Sequence, residues 1–125
     1  MHKASKEGFQ KGELQTLAGR MCKTRDPNKK ADDYKIKNKS KNFPVQGLCA
    51  DILKIAMGNL FLILEPREIK LINYVHDELV FECKAEEADE IAAIVKNEME
   101  KAGNFFLRAI SCIAKVTIAD FWNKE

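Results

Sequence analysis

The segment Leu71–Cys83 reads L-I-N-Y-V-H-D-E-L-V-F-E-C and decides the fold of this 125-residue chain. Two short apolar runs, Leu71–Val75 and Leu79–Cys83, flank the polar triplet at 76–78, a pattern that predicts a β-hairpin with charge at its tip. The tip lacks Gly, Asn-Gly or Asp-Gly, although tight two-residue turns need positive φ at one or both central residues. Two interpretations are open: an acidic, solvated turn, or two adjacent carboxylates held at a strand end to bind a divalent cation.

A long apolar segment precedes this hairpin. Pro44 is well placed for a helix start, and from Gln46 the chain is apolar around most of a helical circumference, which predicts a helix of about five turns that ends before Pro66 and is buried on most sides. Asp51 and Lys54 are polar exceptions within it. Because they are three residues apart on one face, we expect them to pair.

An amphipathic helix is predicted after the hairpin, over Ala85–Ala102, with Gly103 as its stop. Its apolar face is formed by Ala88, Ile91, Ala92, Val95 and Met99. Ile110–Ile118 alternates enough to be a third strand, and Phe121-Trp122 is expected to pin the C-terminus onto the core. The predicted fold class is α+β: a small antiparallel sheet containing the hairpin, covered on one face by the long buried helix and the amphipathic helix.

The N-terminal third differs from the rest in charge. Residues 1–41 carry 12 Lys or Arg against 5 Asp or Glu, net +7, whereas residues 42–125 carry 9 against 14, net −5. Glu13–Lys23 could form a strand interrupted at Gly19, and Thr24–Lys41 is predicted to be an exposed loop. We therefore divide the chain into a basic arm and loop, 1–41, and a folded subdomain, 42–125. The arm suits a polyanionic partner, or serves as a solubilising tail.

Composition excludes several classes of protein. An apolar share of 46% and a charged share of 32% are typical of a soluble globular domain. No apolar run approaches the roughly 18 residues of a membrane span, and no secretory signal is visible, so we expect an intracellular, cytoplasmic protein without a membrane partner. The four cysteines form no C-x-x-C pair, which predicts reduced thiols and argues against a zinc or redox site.

Three segments together resemble family A DNA polymerases, the bacterial DNA polymerase I type. N-F-P-V-Q-G at 42–47 with A-D-I-L-K-I-A-M at 50–57 resembles the N-x-P-x-Q-G-x-x-A-D-x-x-K-x-A-M helix of that family. V-H-D-E at 75–78 resembles its motif C hairpin, and T-L-A-G-R at 16–20 is similar to the T-L-x-G-R segment before the helix. The order and spacing of the three match, so the resemblance implies the C-terminal, palm-like part of such a polymerase.

The resemblance implies a role for each matching position. Asp77 would bind the catalytic magnesium ions and adjacent Glu78 would be a supporting carboxylate, so both are candidate catalytic and metal-binding residues of a two-metal Mg²⁺ site. The implied partners are primer-template DNA and dNTP. Phosphoryl transfer needs metal ions that hold the attacking and leaving oxygens in line, and magnesium takes one or two carboxylates with phosphate oxygens and water. The candidate nucleic-acid contacts are Gln46, His76, Arg20 and Asn42.

Departures from the family pattern limit this expectation. The 125 residues contain no D-Y-S-x-I-E segment (motif A) and no R-x-x-x-K-x-x-N-F-G fingers segment, and K-S-K at 39–41 and L-C at 48–49 replace the usual residues. We therefore expect a chain that is inactive alone, and a complementary polymerase chain carrying motif A and fingers as its partner, with self-association through an uncovered sheet also open. The alternatives are a non-catalytic nucleic-acid-binding remnant and a plain scaffold with an acidic turn.

Overall fold

The computed structural model describes residues 10–26, 28, 30 and 32–122. The chain is α+β and divides into two compact units, Met1–Asp51 and Ile52–Glu125. The elements in chain order are β1 (Glu13–Gln15), β2 (Met21–Lys23), α1 (Asp33–Leu64), a 3₁₀ turn (Glu65–Arg67), β3 (Lys70–Val75), β4 (Glu78–Glu82), a second 3₁₀ turn (Ala85–Glu87) and α2 (Ala88–Phe106). The strands form two separate antiparallel pairs, β1 with β2 and β3 with β4. The predicted fold class is confirmed, although each sheet has two strands where about three were expected.

The β3–β4 hairpin forms where the sequence predicts it. Val75 pairs with Glu78, so the connecting loop has two residues, and Tyr74 pairs with Leu79. A bulge between Leu71 and Asn73 shifts the register by one residue, so that Leu71 lies opposite Phe81. Because side chains alternate along a strand, the bulge brings Leu71 to the same face of the hairpin as Tyr74.

The long helix begins eleven residues before Pro44, at Asp33, so the expected start was wrong and the predicted loop 24–41 is helical from 33 onward. Asp32 caps this start: its carboxylate accepts a hydrogen bond from the Lys35 N–H at 3.2 Å. That bond is the main reason why the pKa of Asp32 is lowered. Pro44 lies inside the helix, where its ring nitrogen cannot donate to the carbonyl of Ser40.

The same helix is buried on one face only. Leu53, Ala56, Leu60 and Leu64 are buried, whereas Phe61 and Leu62 are 65% and 73% exposed, so burial on most sides was a wrong expectation. The stretch Asp33–Arg67 is also long and apolar enough by length and composition to cross a membrane, in contrast to the expectation from the apolar runs. A core helix passes that same test.

The core of the second unit lies between α1, the hairpin and α2. Its buried residues are Leu60, Leu64, Ile69, Ile91 and Val95, and Leu79, Phe81, Cys83, Ile94 and Met99 pack against them. Leu79 and Phe81 alternate along β4 and therefore share the face that turns toward the helices, and Cys83, just after the strand, packs against the same core. The amphipathic helix is confirmed, although it continues through Gly103 to Phe106.

The predicted third strand, Ile110–Ile118, is wrong: the structure gives these residues no helix or strand. The segment lies along α2, where the backbone N–H of Cys112 donates to Asn104 Oδ1 at 2.7 Å and that of Ala114 donates to Glu100 Oε1 at 3.0 Å. Side-chain acceptors therefore take the N–H groups that a strand ladder would use. A β-carbon at Gly103 would lie 2.5 Å from Cys112 Cβ, so only glycine permits this approach.

The aromatic anchor was also wrong. Phe121 is 73% exposed and Trp122 is 47% exposed, so neither ring is buried in the core. All four cysteines are free thiols, as predicted. The predicted domain boundary between residues 41 and 42 falls within α1 and stays a prediction.

Candidate functional site

The hairpin tip carries the three polar residues that the sequence singles out. His76 and Asp77 form the two-residue loop, and Glu78 is the first residue of β4. All three side chains are exposed. His76 has φ of +54°, in the left-handed region, so a non-glycine residue supplies the positive φ that the turn needs. This conformation costs about 1–2 kcal/mol for an L-residue, and such strain is found preferentially at functional sites.

Glu78 has a partner that the sequence did not predict. The indole N–H of Trp122 donates to Glu78 Oε1 at 2.8 Å, across 44 residues of chain. Trp122 therefore lies at the hairpin tip, held by a hydrogen bond to a carboxylate and not by burial of its ring.

A second cluster links the β1–β2 hairpin to α1. Arg20 Nε lies 2.9 Å from Asp51 Oδ1, and the hydroxyl of Thr16 donates to Asp51 Oδ2 at 2.6 Å. Thr16 Oγ1 in turn accepts the Arg20 backbone N–H at 3.1 Å. Asp51 is only 8% exposed, and a buried carboxylate needs partners for its oxygens. The Arg20 guanidinium and the Thr16 hydroxyl supply them, one to each oxygen.

The predicted Asp51–Lys54 pair was therefore wrong. Lys54 is exposed, and the two Asp51 oxygens face the β1–β2 hairpin instead. A spacing of three residues on a helix makes an ion pair geometrically possible. Here Arg20 and Thr16, which lie on the β1–β2 hairpin, already occupy both Asp51 oxygens. The T-L-A-G-R segment was the available signal, since it brings one hydroxyl and one guanidinium to the carboxylate.

Arg20, predicted as a DNA contact, is held mainly by the protein. Besides Asp51, its Nη2 donates to the carbonyl oxygen of Gly47 at 2.8 Å, and its guanidinium lies 5.7 Å from the centroid of the Phe43 ring. Gly47 is buried, and a β-carbon there would lie 2.7 Å from Thr16 Cγ2. The glycine of the N-F-P-V-Q-G motif thus permits the hairpin to contact the helix.

Two further predicted DNA contacts lie on α1, on its solvent-exposed side. Asn42 and Gln46 are both exposed and are four residues apart, so they share one face of α1. Phe43 and Gly47 lie one position further along and face the β1–β2 hairpin. This arrangement leaves two amide side chains free to contact a ligand, as the predicted DNA-binding role requires.

No cluster of three or more metal-capable His, Cys, Asp or Glu side chains occurs among the described residues. The carboxylates of Asp77 and Glu78 are adjacent in sequence at an exposed strand end, and magnesium accepts one or two protein carboxylates with the remaining positions filled by water and phosphate. The pair fits a contributing role in a magnesium site and falls short of a complete one.

Comparison with known proteins decides the family. A profile for DNA polymerase family A matches residues 1–124. The chain belongs to DNA polymerase family A. It is 32% identical over 124 residues to the thermostable DNA polymerase I of Thermus aquaticus, covering 98% of this chain and 14% of that protein. It is 37% identical over 90 residues to DNA polymerase I of Aquifex aeolicus, covering 70% of this chain and 16% of that protein.

A solved structure agrees with this membership. The POL domain of Pol1 from M. smegmatis, in complex with DNA primer-template and dNTP, matches with a TM-score of 0.68 and 26% identity, over 81% of this chain and 18% of that one. The family A chain thus spans less than a fifth of the length of each of these relatives. The resemblance found in the motifs is confirmed, whereas the roles of individual side chains stay predictions.

Proposed function

We propose that this family A chain is the palm part of a DNA-directed DNA polymerase that contributes one carboxylate side of a two-metal Mg²⁺ site and primer-template contacts to nucleotidyl transfer. The observation that carries the proposal is the hairpin itself: a two-residue turn inside the V-H-D-E motif, strained at His76, which presents Asp77 at a strand end. In the assembled site, the metal ions would neutralise charge that develops on the transferring phosphate.

Asp77 is the proposed metal ligand, with Glu78 as a supporting carboxylate. His76 and the exposed Gln46 would contact the minor groove, where acceptors are shared by all Watson–Crick pairs, and the exposed Asn42 would be a further nucleic-acid contact. Such contacts test pair geometry without reading sequence. Arg20 would act mainly by fixing the β1–β2 hairpin on α1, since Asp51 and the Gly47 carbonyl already engage its guanidinium.

A complementary polymerase chain, carrying motif A and the fingers, is the proposed partner. The second unit exposes apolar side chains that a folded chain normally buries, and they lie on α1 and on the segment after α2. They are Ile55, Phe61, Leu62, Ile63, Ile110, Ile113 and Ile118. The complementary chain would cover these exposed apolar side chains, and dNTP and DNA would be bound by the assembled complex. An intracellular location follows from this role.

The experiment mixes the chain with a family A polymerase from which the corresponding C-terminal region has been deleted, and measures primer extension in Mg²⁺. We expect neither component to extend a primer alone and the mixture to do so. Extension by the 125-residue chain alone would contradict the predicted inactivity, and failure of the mixture to assemble would contradict the proposed partner.

The second candidate is a non-catalytic nucleic-acid-binding remnant, favoured by the net charge of +7 on residues 1–41. It predicts DNA binding that weakens steeply with salt, because basic side chains release counterions from the phosphates. Binding would be indifferent to Asp77→Asn, and the mixture would remain inactive. Primer extension by the mixture excludes this candidate.

A further inference from the structure

Trp122 is the single tryptophan of the chain, and its indole N–H is bound to Glu78, next to the proposed metal ligand Asp77. We propose that Trp122 is a positioning residue: its N–H holds Glu78 Oε1 and leaves the other carboxylate oxygen to bind a divalent cation beside Asp77. This inference rests on the proposed function, in which the hairpin tip contributes carboxylates to a metal site.

The contact is built by tertiary structure. The segment 107–122 is held against α2 in its middle, where Asn104 and Glu100 accept the N–H groups of Cys112 and Ala114. It is fastened to the hairpin at its end by Trp122. The segment therefore joins α2 to the hairpin tip.

The chemistry of the donor suits a positioning role. An indole presents one N–H and no acceptor, so it can engage only one oxygen of the carboxylate and does not compete as a metal ligand. Glu78 is exposed and would otherwise sample many rotamers. Carboxylates that bind metals are commonly held by such donors, and loss of the donor typically weakens metal affinity about 10- to 100-fold.

The test measures Mn²⁺ binding to the complemented polymerase, the full chain mixed with the family A polymerase that lacks this region, because this chain holds only part of the metal site. Binding is followed by the electron paramagnetic resonance signal of free Mn²⁺. Trp122→Phe keeps an aromatic ring and removes the N–H. Phe121→Leu is the matched control, because Phe121 is a neighbouring exposed aromatic residue. Asp77→Asn tests the metal site itself. We expect Trp122→Phe to weaken Mn²⁺ binding about 10-fold, the low end of the range because the site is exposed, and Phe121→Leu to leave binding unchanged.

The outcomes separate this inference from the proposed function. If Asp77→Asn weakens Mn²⁺ binding but Trp122→Phe binds as tightly as Phe121→Leu, the positioning role is overturned and the metal site stands. If the complex with Asp77→Asn binds Mn²⁺ as well as the complex with the unaltered chain, the metal role of the tip fails and the inference fails with it.

A second readout follows the indole directly. When only this chain is ¹⁵N-labelled, the ¹H–¹⁵N spectrum of the complemented polymerase contains a single indole signal, because the chain has one tryptophan. We expect Mg²⁺ to shift this signal in the unaltered chain and to have no effect on it in Asp77→Asn. A signal that does not respond to Mg²⁺ in the unaltered chain would overturn the proposed coupling.

Discussion

Gly47 belongs to the family A motif and lies where α1 contacts the β1–β2 hairpin. Its substitution therefore tests how much this contact stabilises the first unit. A β-carbon added at this buried position would lie 2.7 Å from Thr16 Cγ2. Thr16 cannot easily turn away, because its hydroxyl donates to Asp51 and accepts from the Arg20 backbone N–H. We therefore expect Gly47→Ala to separate the β1–β2 hairpin from α1.

The magnitude follows from two opposed terms. Alanine in place of glycine within a helix gains about 1 kcal/mol from helix propensity. Overpacking of a well-packed site costs about 1–3 kcal/mol, so Gly47→Ala should lower the free energy of unfolding by about 1 kcal/mol net. Gly58→Ala is the control in the same helix, since a β-carbon there has nothing within 4 Å. It should raise the free energy of unfolding by up to about 1 kcal/mol.

Urea denaturation followed by circular dichroism measures both variants. Thr16→Ser removes Cγ2 and keeps the hydroxyl for Asp51, so it should recover stability in the Gly47→Ala background while it costs stability in the unaltered chain. Equal stability of Gly47→Ala and Gly58→Ala, or no recovery with Thr16→Ser, would refute the close contact between hairpin and helix.

Three further substitutions test the other buried or strained groups. Asp51→Asn should destabilise the chain by about 2 kcal/mol in the same denaturation assay, because it leaves the Arg20 guanidinium without its charged partner. Lys54→Ala, on the exposed side of the helix, should change stability by less than about 0.5 kcal/mol. Ser40→Ala should stabilise by about 1 kcal/mol, as measured by thermal melting, because the fully buried Ser40 hydroxyl has no hydrogen-bond partner among the described residues. A loss of stability would show that this hydroxyl is satisfied. His76→Gly should stabilise the hairpin by about 0.5–1 kcal/mol through relief of its positive φ and should lower primer extension in the complemented mixture; unchanged extension would remove His76 from the DNA-contact residues.

The local pattern of the sequence was sufficient for the hairpin and for α2. Alternation of apolar residues on both sides of His76-Asp77 predicts β3 and β4 within a residue, and the spacing of Ile91 and Val95 predicts the buried face of the amphipathic helix. Both signals depend only on neighbours along the chain. They are therefore readable without tertiary information.

Elements that depend on tertiary partners were predicted less well. The lysine-rich stretch before Pro44 is helical because Asp32 caps it and because Ile36 and Ser40, one turn apart, are both buried. The segment 110–118 has the alternation of a strand but no regular structure, since Asn104 and Glu100 bind two of its N–H groups.

The residues of the candidate site also fall into those that the sequence indicates and those that only the tertiary structure reveals. Asp77 and Glu78 could be singled out only through the resemblance of V-H-D-E at 75–78 to motif C, because adjacent carboxylates at a hairpin tip also fit an acidic, solvated turn. The Thr16–Arg20–Asp51 cluster and the Trp122–Glu78 hydrogen bond join residues 31 to 44 positions apart, and no local pattern indicates which donor reaches which carboxylate.

The most direct measurement is the single-turnover rate of nucleotide incorporation by the complemented polymerase, with Asp77→Asn compared to Glu82→Gln. Glu82 is an exposed carboxylate at the far end of β4, so its substitution removes one negative charge from the same hairpin. If Asp77 holds the metal ions, Asp77→Asn should reduce the rate by at least about 10³-fold, equivalent to about 4 kcal/mol, whereas Glu82→Gln should leave it unchanged. Equal rates for the two variants would contradict the assignment of the hairpin tip as part of a polymerase active site.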